Sequence, residues 1–352
     1  MGPCGVYACA LTALGALTVV GIDNGSHKST LYADDTVLQT FTISSTVVSI
    51  PCPGMPATAC GTPTGVVWNP IQAPLTSFLV SGTPAKFIWA TEDGTIVGWN
   101  TGTFGIIEKD NSGVGAVYKG LEVATNSGTT LLYVTNFNAG TVEMYDTSWT
   151  QVGTPGAFTD PKLPPGYAPF NIVLVGNRLI VTYAVRDPVT NDDVKGAGPG
   201  IVNSFDLTGH GLKRLVTGIA PSDTSCRKPS TLVKCKLNAP WGVALAPQSF
   251  GKLANALLIG NFGDGHINGF NATTGAFIGP MHYGQSTPGL QGKPVVIDGL
   301  WALKVGNDHN GKSGYANTLY FTAGPNDEAD GLFGALRPDG LYGTPPYPFP
   351  GP

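Results

Sequence analysis

Residues Leu131 to Asp146 read LLYVTNFNAGTVEMYD, and residues Ala256 to Asn271 read ALLIGNFGDGHINGFN. Each is an apolar run ending on a polar residue, then a glycine-bearing turn, then a second run closing on an aromatic and an Asp or Asn. Aromatic and β-branched runs bounded by Asn, Asp and Gly read as strands, and glycine supplies the positive φ that a tight hairpin needs. KFIWATEDGTIVGWN, from Lys86 to Asn100, is a third copy. LIVTYAVRD, an insertion and GIVNSFD make a fourth between Leu179 and Asp206. LTVVGIDNGSHKSTLYADD from Leu17 and TLYFTAGPNDEADGLFGAL from Thr318 carry the series towards both ends.

Related leading strands precede several copies: PTGVVWNP at Pro63, APFNIVLV at Ala168, APWGVALA at Ala239 and DGLWALKV at Asp298. A unit recurring at roughly 50 residues predicts an all-β fold, a six-bladed β-propeller with four-stranded antiparallel blades. Stacked sheets bury both faces, which accounts for strands that read as continuous apolar runs instead of alternating ones. A β-sandwich would need no such repeat.

The composition fits. Of 352 residues, 12% are charged, against roughly 25% in an ordinary soluble protein, while 49 are Gly and 29 Pro. A hydrophobic fraction of 42% is enough to bury a core, so the glycine and proline mark turns and not disorder. A net charge of −4 with 19 Lys and Arg offers no basic track for phosphates, so nucleic acid is excluded as a partner. No apolar run is long enough for a transmembrane helix.

Residues 1–338 are expected to form a single propeller domain, and 339–352 (DGLYGTPPYPFPGP) an extended proline-rich tail. The inserts at 51–63, 186–199 and 218–237 read as surface loops. Val6 to Gly21 could pass for the apolar core of a signal peptide but lacks a preceding Lys or Arg, so it is expected inside the fold, with any export signal outside this numbering.

Six cysteines fall into three close pairs, Cys4 with Cys9, Cys52 with Cys60 and Cys226 with Cys235. Neighbour pairing is the simplest of fifteen connectivities, with free or metal-bound thiols as the alternative. Each small loop so closed would add about 2–3 kcal/mol and favours an oxidising, extracellular or cell-surface location. The sequons at Asn24 and Asn271 are candidate glycosylation sites in such a compartment.

The segments SGVGAVYKGL (Ser112 to Leu121), YAPFNI (Tyr167 to Ile172), NAPWGVALAP (Asn238 to Pro247), NALLIGNFGDGHINGF (Asn255 to Phe270), VIDGLWAL (Val296 to Leu303) and LYFTAGPNDEADGLFG (Leu319 to Gly334) together carry a resemblance. The chain resembles an uncharacterised family of exported proteins akin to NHL-repeat propellers, many with bacterial cell-surface sorting signals. The resemblance implies the six-bladed fold and export, and brings no catalytic residues. The chain departs from that family at its start, where Gly2-Pro3-Cys4-Gly5 stands in place of an Asn-Pro-Trp-Gly leading strand. The last blade then lacks an obvious fourth strand, and its open edge would be met by the N-terminus, the tail or another molecule.

Gly306 to Ser313 (GNDHNGKS) matches the phosphate-loop pattern, but a strand follows it where a helix would be required, so it reads as a hairpin loop. If the blades are equivalent, Asp23, Glu92, Asp93, Asn136, Asn261 and Asn326 gather at one channel mouth, as turn caps or as oxygen ligands for calcium. The pair Asp192-Asp193 and the run Asn326 to Asp330 are acidic loops, solvated faces or cation sites. His27, His210, His266, His282 and His309 are scattered through turns, and neither HExxH nor GxSxG occurs.

The function expected is therefore that of a secreted or cell-surface, non-enzymatic propeller, a binding or structural module. Its partners would be extracellular glycans or proteins, or further copies of itself assembling through the termini into a filament. The alternative is a calcium-dependent, lactonase-like hydrolase at the channel mouth, without an assignable catalytic residue.

Overall fold

The apolar runs form strands, and the turns between them carry left-handed residues where the sequence places glycine, with Gly94, Gly140 and Gly265 at φ of 80°, 71° and 70°. The structure, a computed structural model, describes residues 19–35, 40–71, 76–196, 198–219, 226, 235–284, 289–307 and 315–338, with backbone alone for 19–23, 31–35 and 40–46. The fold is an all-β propeller of antiparallel sheets.

The first sheet has three strands, β1 (Val19–Asp23), β2 (Lys28–Asp35) and β3 (Thr40–Ser49). A ribbon of β4 (Pro51–Cys52) and β5 (Met55–Ala59) follows. The second sheet takes β6 (Pro63–Trp68) as its innermost strand and then, past a small ribbon of β7 (Leu79–Val80) and β8 (Thr83–Pro84), adds β9 (Phe87–Thr91), β10 (Thr95–Trp99) and β11 (Ile106–Asp110) outward. The third is β12 (Tyr118–Asn126), β13 (Thr129–Asn136), β14 (Thr141–Tyr145) and β15 (Gln151–Val152). The fourth is β16 (Tyr167–Val175), β17 (Arg178–Val185), β18 (Ile201–Phe205) and β19 (Lys213–Thr217). The fifth is β20 (Pro240–Leu245), β21 (Ala256–Asn261), β22 (Ile267–Asn271) and β23 (Phe277–Pro280). The last, β24 (Leu300–Val305), β25 (Leu319–Ala323) and β26 (Leu332–Leu336), has three strands among the described residues.

Apolar side chains are buried between consecutive sheets, as radial stacking requires. Val48 and Ile50 meet Val66 and Trp89; Ile88 and Ile96 meet Leu121 and Val134; Tyr133 and Met144 meet Ile172 and Val181. Ile180 and Val202 then meet Val243 and Ile259, and Leu258 and Ile267 meet Leu300 and Phe321. Each fully buried side chain of this size contributes about 1.5–3 kcal/mol, so these contacts hold the sheets face to face.

The inner strands share one device. A β-bulge interrupts the pairing of β6, β12, β16, β20 and β24 with the next strand outward, near Gly65, Gly120, Asn171, Gly242 and Ala302. The bulge removes a backbone N–H from the ladder. In three blades a buried threonine on the next strand recovers it: Thr135 Oγ1 accepts from Gly120 N at 2.8 Å, Thr182 Oγ1 from Asn171 N at 3.1 Å, and Thr322 Oγ1 from Ala302 N at 3.1 Å. Blades are also tied to one another, inner strand to inner strand by Thr64 Oγ1 donating to Tyr118 O and Asn171 Nδ2 to Trp241 O, and from β13 by Thr135 Oγ1 donating to Phe170 O, at 2.9 to 3.1 Å. The approach is so close at Gly120 that a Cβ there would lie 2.7 Å from Asn171 Cα. Thr182→Val keeps the shape and removes the acceptor. It is expected to cost about 1–2 kcal/mol in urea unfolding, the penalty for a buried N–H left unsatisfied.

Two expectations are corrected here. Among the described residues five blades, not six, surround the channel: β1 pairs with β2 without the bulge that the five inner strands share, and the first repeat copy builds a three-stranded sheet. The four-stranded blade holds for the second to fifth sheets. Disulfides join Cys52 to Cys60 and Cys226 to Cys235, with Cα separations of 5.2 and 5.3 Å, both in expected loop segments. Cys4 and Cys9, the tail 339–352, and most of both Val6 to Gly21 and the phosphate-loop-like run fall outside the described residues. Among the described residues no helix is long and apolar enough to cross a membrane.

Candidate functional site

The channel has a charged end and an apolar end, separated by aromatic rings. At the charged end, Lys119 sits second in β12 with its side chain only 5% exposed. Its ammonium ion-pairs with Glu92, which directly follows β9, and lies 3.7 Å from Asp192 Oδ1. Burial alone would lower the Lys119 pKa, but the charges of Glu92, Asp192 and Asp193 outweigh it and hold the amine above its ordinary value. Glu92 Oε2 also accepts from Asn24 Nδ2 at 3.1 Å. Four sheets thus converge on one point: Asn24 from the first, Glu92 from the second, Lys119 from the third and Asp192 from the loop between β17 and β18.

Asp193, in the same loop, turns under the cluster. Part of the residue meets solvent, but Oδ2 is sealed and has no hydrogen-bond partner among the described residues. Burial pushes its carboxyl up to about 7, with Glu328 and Asp192 adding to the rise and Lys119 and Lys195 opposing it. Lys195 places its ammonium 4.3 Å over the ring of Phe262, which stacks at 3.9 Å on Trp301, whose Nε1 donates to Glu328 Oε1 at 2.9 Å.

Beneath these charges the axis is filled by Phe137, Phe170, Trp241 and Trp301. Trp241 meets Phe170 and Trp301 edge to face at 4.8 and 4.9 Å, favourable geometry for aromatic pairs. Beyond Trp241 the later halves of the five inner strands diverge around a cavity of about 320 Å³. Its lining is mostly aliphatic: Val173, Leu174 and Ala302 keep part of their surface open, while Leu121, Ile172, Val243 and Leu303 are buried in the packing between blades. Trp68, Pro70, Leu174 and Lys304, all partly or fully exposed, form its rim.

Of the residues anticipated at the mouth, Glu92 faces the charge cluster. Asp93 accepts from Thr62 N and Oγ1 at 2.5 and 2.7 Å. Asn136 accepts from Val117 N and Ala139 N and donates to Glu143. Asn261 donates to Lys236 O and Asp264, and Asn326 to Asp330. Asp23 closes β1, its backbone opposite Lys28. Among the described residues no group of three His, Cys, Asp or Glu stands close enough to hold a metal ion. Of the sequons, Asn271 is exposed, and Asn24 engages Glu92 through its amide nitrogen. Lys119 and the rim residue Lys304 were missed; a lone lysine within an apolar strand was the available signal for both.

No family model matches the chain. It is 31% identical over 263 residues to an uncharacterized protein of Acanthamoeba polyphaga mimivirus, covering 72% of this chain and 57% of that one. A second uncharacterized protein of the same virus is 29% identical over 241 residues, covering 67% of this chain and 56% of that protein. The chain thus spans somewhat over half the length of these relatives. Among solved structures it is similar to an α-L-arabinanase of Penicillium chrysogenum in complex with arabinobiose, with a TM-score of 0.54, 10% identity, and coverage of 94% of this chain and 93% of that one. That likeness is one of fold.

Proposed function

We propose that this chain is an extracellular or cell-surface binding module that takes a small, largely apolar ligand into the channel cavity. The observation that carries the reading is the cavity itself: about 320 Å³, within the size range of ligand pockets, walled by inner strands of five blades and open at one end. Because rigid, mutually bonded strands supply the walls, the pocket is formed before ligand arrives and little ordering cost falls on binding. The two disulfides support an oxidising location.

N-phenyl-1-naphthylamine, a neutral apolar fluorophore, is expected to bind saturably with one site per chain. Ala302 lines the cavity, and Ala302→Phe would place a ring inside it. That variant is expected to lose at least about tenfold in probe affinity, about 1.4 kcal/mol, while keeping its circular dichroism spectrum. Undiminished binding by a folded Ala302→Phe would overturn the assignment.

A further inference from the structure

Resting on the cavity reading, we infer that the ligand is an amphipathic anion, an apolar tail carrying one negatively charged head, with Lys304 as the residue that recognises the head. Lys304 lies on β24 at the cavity rim, partly exposed, with no carboxylate within ion-pair distance among the described residues. Among the described residues the one acidic side chain on the cavity wall, Glu122, is committed elsewhere. Its Oε1 accepts from Val123 N at 3.0 Å and its Oε2 from Leu174 N at 2.9 Å, so two backbone dipoles already serve that carboxylate.

The cavity therefore presents an uncommitted ammonium above a wall of aliphatic side chains. A hydrocarbon tail against Val173, Leu174 and Ala302, which keep part of their surface open, would leave water for an apolar surface. A carboxylate or sulfate at the rim would gain a charge-assisted hydrogen bond from Lys304, stronger than a neutral one. A cationic head would meet Lys304 with like charge. A neutral one would forgo the interaction.

Decanoate and 1-decanol share a tail and differ in the head, and each can be titrated against bound N-phenyl-1-naphthylamine at pH 7.5. Decanoate is expected to displace the probe more tightly than decanol. Lys304→Gln is expected to weaken decanoate by about tenfold, the scale of one charge-assisted hydrogen bond, and to leave decanol within about twofold. Rising salt should weaken decanoate alone. Equal affinities for the two compounds, or a Lys304→Gln loss shared by both, would overturn head-group recognition and leave the cavity reading standing. Failure of both to displace the probe would overturn the cavity reading itself.

Discussion

Lys119→Ala is expected to lower the free energy of unfolding by about 2–3 kcal/mol, less than the full cost of orphaning a buried charge because Glu92 keeps part of its side chain in water. The size follows from what the ammonium leaves behind. Glu92 would lose its ion pair at a place reached by four sheets, and Asp192 and Asp193 would lose the cation that offsets them. The cost is one of uncompensated charge, which a second substitution can separate from lost packing. Lys119→Met keeps the apolar stem, and combining it with Glu92→Gln removes the orphaned carboxylate, so the double variant should recover much of the loss. Urea unfolding of the parent, Lys119→Met, Glu92→Gln and the double variant gives the coupling directly. If Lys119→Ala unfolds at the same urea concentration as the parent, Lys119 does not hold the mouth together.

The second large effect is on pH dependence. The carboxyl of Asp193 is pushed up to about 7 in the folded chain, from an ordinary value near 3.8. Between those values the native state holds a proton that the unfolded state has released, so stability falls as pH rises. The contribution is fully present below the unfolded value and is lost as pH climbs through the folded one. From pH 5 to pH 8 the loss from this group is expected to be about 2–3 kcal/mol, at 1.36 kcal/mol per pH unit over about two units. Asp193→Asn carries no titrating proton and should flatten this part of the curve, becoming more stable than the parent at pH 8. Parallel pH–stability curves for the two proteins would contradict the burial of a protonated Asp193.

Much of the fold was legible because the hairpins announce themselves. FNAG, TEDG and FGDG each place glycine where the turn needs a left-handed residue, and the flanking apolar runs became β9, β10, β13, β14, β21 and β22. The threonines that recover the bulged N–H groups were also in view, in YVTN, IVTY and YFTA, although their role depends on a bulge that composition does not encode. The blade count failed for a related reason. LTVVGIDN resembles the other copies in its apolar run, but the run does not say whether β1 will bulge.

The channel was less legible. Glu92 was expected at the mouth, as a turn cap or a calcium ligand, through its turn, whereas Asp192-Asp193 read equally well as a solvated loop, since the burial of Asp193 Oδ2 depends on Lys119 and Glu328 from other blades. The cavity left no local signature at all. Its wall is assembled from residues 65 to 304, one short apolar run per blade, and each run alone is an ordinary buried strand.

The most direct test is crystallographic. Crystals grown with 10-bromo-1-decanol should show one anomalous bromine peak inside the channel, among Val173, Leu174 and Ala302 and on the side of Trp241 away from Lys119. A bromine peak confined to the outer surface of the blades, with water filling that space, would contradict the channel as the ligand site.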